Sequence, residues 1–205
     1  MKLKVENLSK LKVDGTYLFK DVSFSLFGKE IITISGPSGV GKTTLLKCIA
    51  QLVIYEEGCI FFNDKTPEES GVPNWRTQIM YVPQRTPIMP GTPLEFSQKI
   101  RTFSSQRLIN KFYDDPIEIS GRWNISEELW EKNWNQLSGG ELQRISLAIA
   151  LSSLDPKTCH LVEKTLKEYS CIIVTHDPEQ EKRISTHRIV LKPHMENENN
   201  YGHLL

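Results

Sequence analysis

The chain has 205 residues, which suits one domain with a small inserted subdomain. Its composition, 39% hydrophobic and 24% charged, is that of a soluble globular protein. Basic and acidic residues balance at 25 each, which excludes a fold-wide basic footprint for nucleic acid, and no apolar run approaches the length of a bilayer span.

Any membrane role must therefore come through a partner, and MKLKVENLSK lacks the apolar core of a signal peptide. Cys48, Cys59, Cys159 and Cys171 show neither CxxC nor CxH spacing and are expected to be reduced, mostly buried thiols.

In chain order, KLKVENL and LFKDVSFSLF alternate as strands do, with a turn signal at VDG (13–15). EIITIS (30–35) reads as a short buried strand, and TTLLKCIAQLV (43–53) has helical periodicity. Glu56 to Asp64 reads as a hairpin around EEG and FFND, and TQIMYVPQ (77–84) as a further strand. Between Pro87 and Gln136 a proline cluster leads into polar helical segments, LEFSQKI and SEELWEKNW. This predicts a helical insert over about 87–136 within a single domain spanning 1–205, with Trp123, Trp130 and Trp134 packing that lobe rather than stacking on bases. A helix is expected over 157–169, a buried strand in CIIVTHD (171–177), a last strand in RIVLKPH (188–194), and a poorly ordered polar tail.

Between the strand EIITIS and the helix lies Gly36-Pro37-Ser38-Gly39-Val40-Gly41-Lys42-Thr43-Thr44, a match to G-x-x-x-x-G-K-[ST] in its proper context. The glycines let several backbone N–H groups converge on one phosphate, and the helix start adds partial positive charge. Lys42 can reach the β- and γ-phosphates, and the Thr43 hydroxyl can ligate Mg²⁺. A second anion-suited helix start follows at Leu137-Ser138-Gly139-Gly140-Glu141, with Gln143 and Arg144 just beyond.

Together, the phosphate loop and LSGGE resemble the ATP-binding-cassette (ABC) ATPases, over nearly the whole chain. The resemblance implies an α/β P-loop NTPase fold: a RecA-like core sheet, an N-terminal antiparallel β part and a helical subdomain. It places Gln84 in the Q-loop, as a catalytic residue whose amide ligates Mg²⁺ or orients water. It makes His176 the switch histidine that contacts the γ-phosphate, and Ser152-Ser153-Leu154-Asp155-Pro156 the D-loop. It also implies a head-to-tail homodimer, in which Ser138, Gly139, Gly140, Glu141 and Asp155 complete the partner's nucleotide site. The implied ligands are ATP and Mg²⁺, with no nucleic acid. The implied setting is the cytoplasmic face of a membrane, against an integral-membrane permease. GPSGVGKTTLLK, QRISL and VLKPH are similar to the short ATPase subunits of FetA-type iron exporters.

Two positions depart from the family pattern. The aromatic residue that usually stacks on adenine falls at Lys10 or Leu11, with Tyr17 the nearest aromatic. The family also places a buried strand ending in Asp-Glu between the signature helix and the D-loop. Here Leu151 runs directly into Ser152, and about a dozen residues are missing, a strand of five or six plus its flanks. That strand would supply a carboxylate for the Mg²⁺ shell and the general base, whose loss costs about 10²–10⁴-fold in rate. The expected fold therefore lacks one central strand. The readings left open are a transporter ATPase, a regulatory or truncated form impaired in catalysis, and a soluble ABC protein without a permease. A P-loop kinase would leave LSGGE and VTHD unexplained.

Overall fold

The structure is a computed structural model and describes residues 2–84, 88–102, 115–152, 170–175 and 178–193. In chain order the elements are β1 (Lys2–Leu11), β2 (Tyr17–Phe27), β3 (Ile31–Ser35), α1 (Lys42–Ile49), β4 (Glu57–Phe62), α2 (Pro67–Ser70), α3 (Val72–Gln78), α4 (Pro93–Arg101), α5 (Pro116–Gly121), α6 (Gly139–Ser152), β5 (Cys171–Val174), α7 (Pro178–Ile184) and β6 (His187–Val190). Two 3₁₀ turns, Glu127–Trp130 and Trp134–Gln136, precede α6. The chain divides into two compact units, Met1–Thr66 with Cys171–Leu205, and Pro67–Ser170.

The first unit holds two sheets. One is antiparallel, in the order β2-β1-β4. The register of β1 shifts between Glu6 and Ser9 against β4 and between Val5 and Leu8 against β2, and Asn7 adopts φ 49°. The extra residue breaks the alternation of faces, so Leu8 and Ser9 are both fully buried although adjacent. Ser9 is reconciled with burial by the Asp21 N–H, which donates to its Oγ at 3.1 Å. The other sheet is parallel, in the order β5-β3-β6 among the described residues. β3 sits in the middle and is buried along its whole length, as its continuous apolar run requires. At its C-terminal end it delivers the glycine-rich loop.

Four expectations need correction. Glu56–Asp64 is not a hairpin: Glu57–Phe62 is one strand paired with β1, and the chain turns only at Asn63–Asp64. Gly58 is the reason, because at φ +96° a Cβ there would lie 2.5 Å from the Glu6 and Asn7 carbonyl oxygens, so the glycine accommodates the β1 bulge. The helix expected over 43–53 ends at Ile49, where Gln51 turns left-handed (φ 57°) and the Leu52 N–H returns to the Lys47 carbonyl at 2.8 Å. The last strand stops at Val190 rather than running to 194.

The fourth correction concerns TQIMYVPQ. Thr77 and Gln78 close α3, which is anchored by buried Trp75, and residues 79–84 form no strand. A strand exists only with a ladder neighbour, and this segment has none among the described residues.

The second unit has its own core of Ile119, Trp123, Trp130, Trp134, Ile145 and Ile149, with Phe96 edge-on to Trp134 at 5.9 Å. The three tryptophans pack this lobe, as expected. Trp130 Nε1 donates to Ser120 Oγ at 3.0 Å, which satisfies its polar edge inside the core. LEFSQKI forms α4 with a Thr92–Glu95 capping box, whereas SEELWEKNW forms short 3₁₀ turns rather than a longer helix. No helix among the described residues is long and apolar enough to cross a membrane.

Candidate nucleotide-binding site

The phosphate loop leaves β3 at Ser35 and enters α1 at Lys42. Its shape depends on glycine. At Gly36 (φ +140°) an added Cβ would run into the Leu191 carbonyl oxygen. At Gly41 (φ +100°) it would come within 2.8 Å of Leu18 Cγ. Val40 points inward and is buried, while Pro37, Ser38, Gly39 and Thr43 are exposed and Thr44 is half-buried.

The first helical bond of α1 is Leu45 N–H to the Gly41 carbonyl, at 2.8 Å. The N–H groups of Lys42, Thr43 and Thr44 therefore have no acceptor within the helix, and Gly41 supplies no side-chain cap. That end of α1 is an electropositive donor set facing a glycine loop, as an anion requires. Lys42 is 6% exposed, and its Nζ donates to the Gly36 and Pro37 carbonyls at 2.8 and 2.6 Å. Two of its three protons brace the loop, and the third can turn toward a phosphate. Thr43 offers an exposed hydroxyl beside these donors, the hard oxygen that Mg²⁺ prefers. Loop, helix end and hydroxyl fit a magnesium–triphosphate group.

The signature loop is built differently. Leu137 is a buried anchor on the second core, and Ser138, Gly139 and Gly140 are exposed. Ser138 caps α6. Its N–H and its hydroxyl both donate to Glu141 Oε2 at 2.7 Å, and the Glu141 N–H returns to Ser138 Oγ at 3.4 Å. These bonds from Ser138 hold the Glu141 carboxyl below its ordinary pKa. Gly139 and Gly140 lie in ordinary helical conformation, and a Cβ on either would meet nothing within 4 Å. Their own fold does not need glycine there, although each costs about 1 kcal/mol relative to alanine in a helix.

Gln84 is exposed at the end of 79–84, and its carbonyl accepts a 2.7 Å hydrogen bond from Gln143 Nε2 of α6. Sequence reading missed this contact, because the two residues lie 59 positions apart with no local pattern joining them. The neighbouring Arg144 has a buried Nε with no hydrogen-bond partner among the described residues. His176 and Asp155 lie outside the described residues, as do the rest of the D-loop, the helix expected over 157–169 and Cys159.

Tyr17 is already engaged. Lys20 Nζ stands 4.8 Å from its ring centroid, and its hydroxyl donates to Glu57 Oε1 at 3.1 Å, which raises the phenol pKa. Lys10 pairs with Glu56 at 2.6 Å, and Leu11 closes the β1–β2 register opposite Tyr17. Cys48, Cys59 and Cys171 are not in disulfides; burial pushes the Cys48 thiol up to about 11 and the Cys171 thiol to about 12.

The parallel sheet, the glycine-rich loop and the open helix end define a P-loop nucleotide-binding α/β protein. A family model described as ABC transporter matches residues 19–158. The chain is 28% identical over 197 residues to the phosphate import ATP-binding protein PstB of Oceanobacillus iheyensis, covering 83% of this chain and 71% of that one. It is 27% identical over 220 residues to the phosphonates import ATP-binding protein PhnC 2 of the same organism, covering 93% and 86%. Among solved structures, the dimeric bacterial ABC transporter cassette MJ0796 superposes with a TM-score of 0.72 at 25% identity, covering 92% of this chain and 94% of that one. The chain belongs to the ABC transporter family, as an ATP-binding subunit.

Proposed function

We propose that this chain binds Mg²⁺–ATP as one half of a head-to-tail homodimer docked on a separate membrane permease, and that its own hydrolysis is slow. The observation that carries the reading is the phosphate loop, with buried Lys42 bracing the curve of Gly36–Gly41 beneath the open amides of α1. Residues 36–44 hold the triphosphate, and Thr43 and Gln84 ligate Mg²⁺, which neutralises phosphate charge when bound. Ser138, Gly139, Gly140, Glu141 and Asp155 serve the partner's nucleotide, and His176 contacts its own γ-phosphate. The helical insert at 87–136 is the lobe that meets the permease, on the cytoplasmic face. The fold of MJ0796 in a dimeric post-hydrolysis state bound to ADP and Pi, matched at a TM-score of 0.71 and 24% identity, is in keeping with this scheme.

Slow hydrolysis follows from the sequence at Leu151-Ser152, where no apolar strand ending in Asp-Glu intervenes before Asp155. Two observations are in keeping with the reading. Residues 79–84 have no ladder neighbour among the described residues. The buried Arg144 Nε finds no acceptor among the described residues, a costly state that a carboxylate or carbonyl on a further segment would relieve.

The test is ATP binding and turnover on purified chain, with Lys42→Ala as control, beside a version carrying an apolar-Asp-Glu strand inserted after Leu151. Binding without turnover, and a gain of about 10²–10⁴-fold on insertion, are the expected results. Ordinary turnover by the chain as it stands overturns the slow-hydrolysis reading. The motifs similar to FetA-type exporters make metal export the finer reading. Iron accumulation in cells carrying Lys42→Ala supports it, whereas defective phosphate uptake would assign the chain the role for which PstB is named.

A further inference from the structure

We propose that Gln143 is a positioning residue for Gln84: its side-chain amide fixes the end of the 79–84 segment and so sets where the Gln84 side chain presents its oxygen to Mg²⁺. The proposal rests on the Mg²⁺ role assigned to Gln84 above.

Among the described residues, few hydrogen bonds hold the 79–84 segment. Ile79 N–H still donates to the Trp75 carbonyl at 2.9 Å, as the last bond of the α3 cap. From Met80 to Gln84 the single hydrogen bond among the described residues is the one from Gln143 Nε2 to the Gln84 carbonyl, at 2.7 Å. Met80, Tyr81 and Pro83 are only half-buried, and Val82 and Gln84 are exposed. A five-residue stretch without a ladder keeps broad backbone freedom unless something ties it. Here the tie falls on the residue whose side chain has the chemical work.

The chemistry of the contact is unambiguous. A backbone carbonyl only accepts, so Gln143 must present its amide nitrogen and not its oxygen. Gln143 stands on the solvent side of α6, outside the core that Ile145 and Ile149 enter, so packing does not require a glutamine there. It also follows directly on the turn capped by Ser138 and Glu141. One rigid turn of helix thus carries the signature loop and the tether for Gln84, and the carbonyl of Gln84 moves with that turn.

The experiment measures ATP affinity of the full chain with Mg²⁺ and with EDTA, for the parent and for Gln143→Ala, Gln143→Glu, Gln84→Ala and the Gln84→Ala/Gln143→Ala pair. Glutamate keeps the size of glutamine but has no donor. Both Gln143 variants are expected to lose about threefold to tenfold of the Mg²⁺-dependent gain, while the affinity in EDTA and the Tm stay at the parent values. The double variant should lose no more than Gln84→Ala alone, because the tether acts only through Gln84. Gln143 variants that keep the full gain while Gln84→Ala loses it overturn the positioning role and leave the metal role of Gln84 standing. A full gain in Gln84→Ala removes the metal role, and the positioning role with it. Equal losses with and without Mg²⁺, accompanied by a lower Tm, would make Gln143 a structural residue and also overturn the proposal.

Discussion

The phosphate loop and the signature loop are both glycine-rich turns opening a helix, yet their glycines answer to different constraints. In the phosphate loop the constraint is internal: Gly36 and Gly41 take left-handed backbone where a side chain would strike Leu191 or Leu18. In the signature loop no internal constraint of that kind is seen among the described residues, since Gly139 and Gly140 have helical backbone and open space around them. The first loop is shaped by its own unit and can hold a ligand by itself. The second is stabilised by Ser138, Glu141 and Leu137, and its glycines stay exposed.

The sharpest way to break this comparison is Gly36→Ala. The added methyl meets a backbone carbonyl that cannot swing aside, at a φ that alanine resists, so we expect a loss of about 3 kcal/mol or more in urea unfolding. Next comes Lys42→Ala, which removes two charge-assisted bonds to loop carbonyls as well as the phosphate contact. ATP affinity measured by calorimetry should fall about 10- to 100-fold.

Gly139→Ala and Gly140→Ala should behave in the opposite sense to Gly36→Ala. Stability is expected to stay level or rise by up to about 1 kcal/mol, while Mg²⁺–ATP-dependent self-association, followed by sedimentation, is lost. If either variant destabilises the isolated chain, the signature glycines are internal after all and the contrast fails.

The smallest effect is a pH dependence. Hydrogen bonds from Ser138 lower the folded-state pKa of Glu141. Its stabilising contribution is therefore complete above the unfolded-state pKa and disappears as pH falls through the lowered value. Glu141→Gln should lower the Tm slightly near neutrality and give a shallower acid limb in a plot of Tm against pH, the two curves meeting at low pH.

The elements legible in the sequence are those whose causes are local. IITIS, its glycine loop and the helix after it are encoded by a continuous apolar run, backbone-permissive residues and helical periodicity, and all three form, although the helix stops at Ile49. The cap at Ser138 was readable for the same reason, because the serine and the glutamate are three positions apart. TQIMYVPQ has the composition of a strand, but composition cannot supply a neighbour, and the segment does not form one. EEG reads as a turn, but Gly58 serves the bulge of a strand about fifty positions earlier. Tyr17 looked available for adenine until the folded chain set Lys20 on its ring and Glu57 at its hydroxyl.

By itself, then, the sequence determined the phosphate loop, the signature cap and the membership of the ABC transporter family, because each is written in contiguous residues at fixed spacing. Tertiary structure decided which glycines are locked, which segment keeps strand form, and that Gln143 holds Gln84. Those outcomes depend on carbonyls, side chains and ladder partners brought together from distant parts of the chain, and no local pattern encodes them.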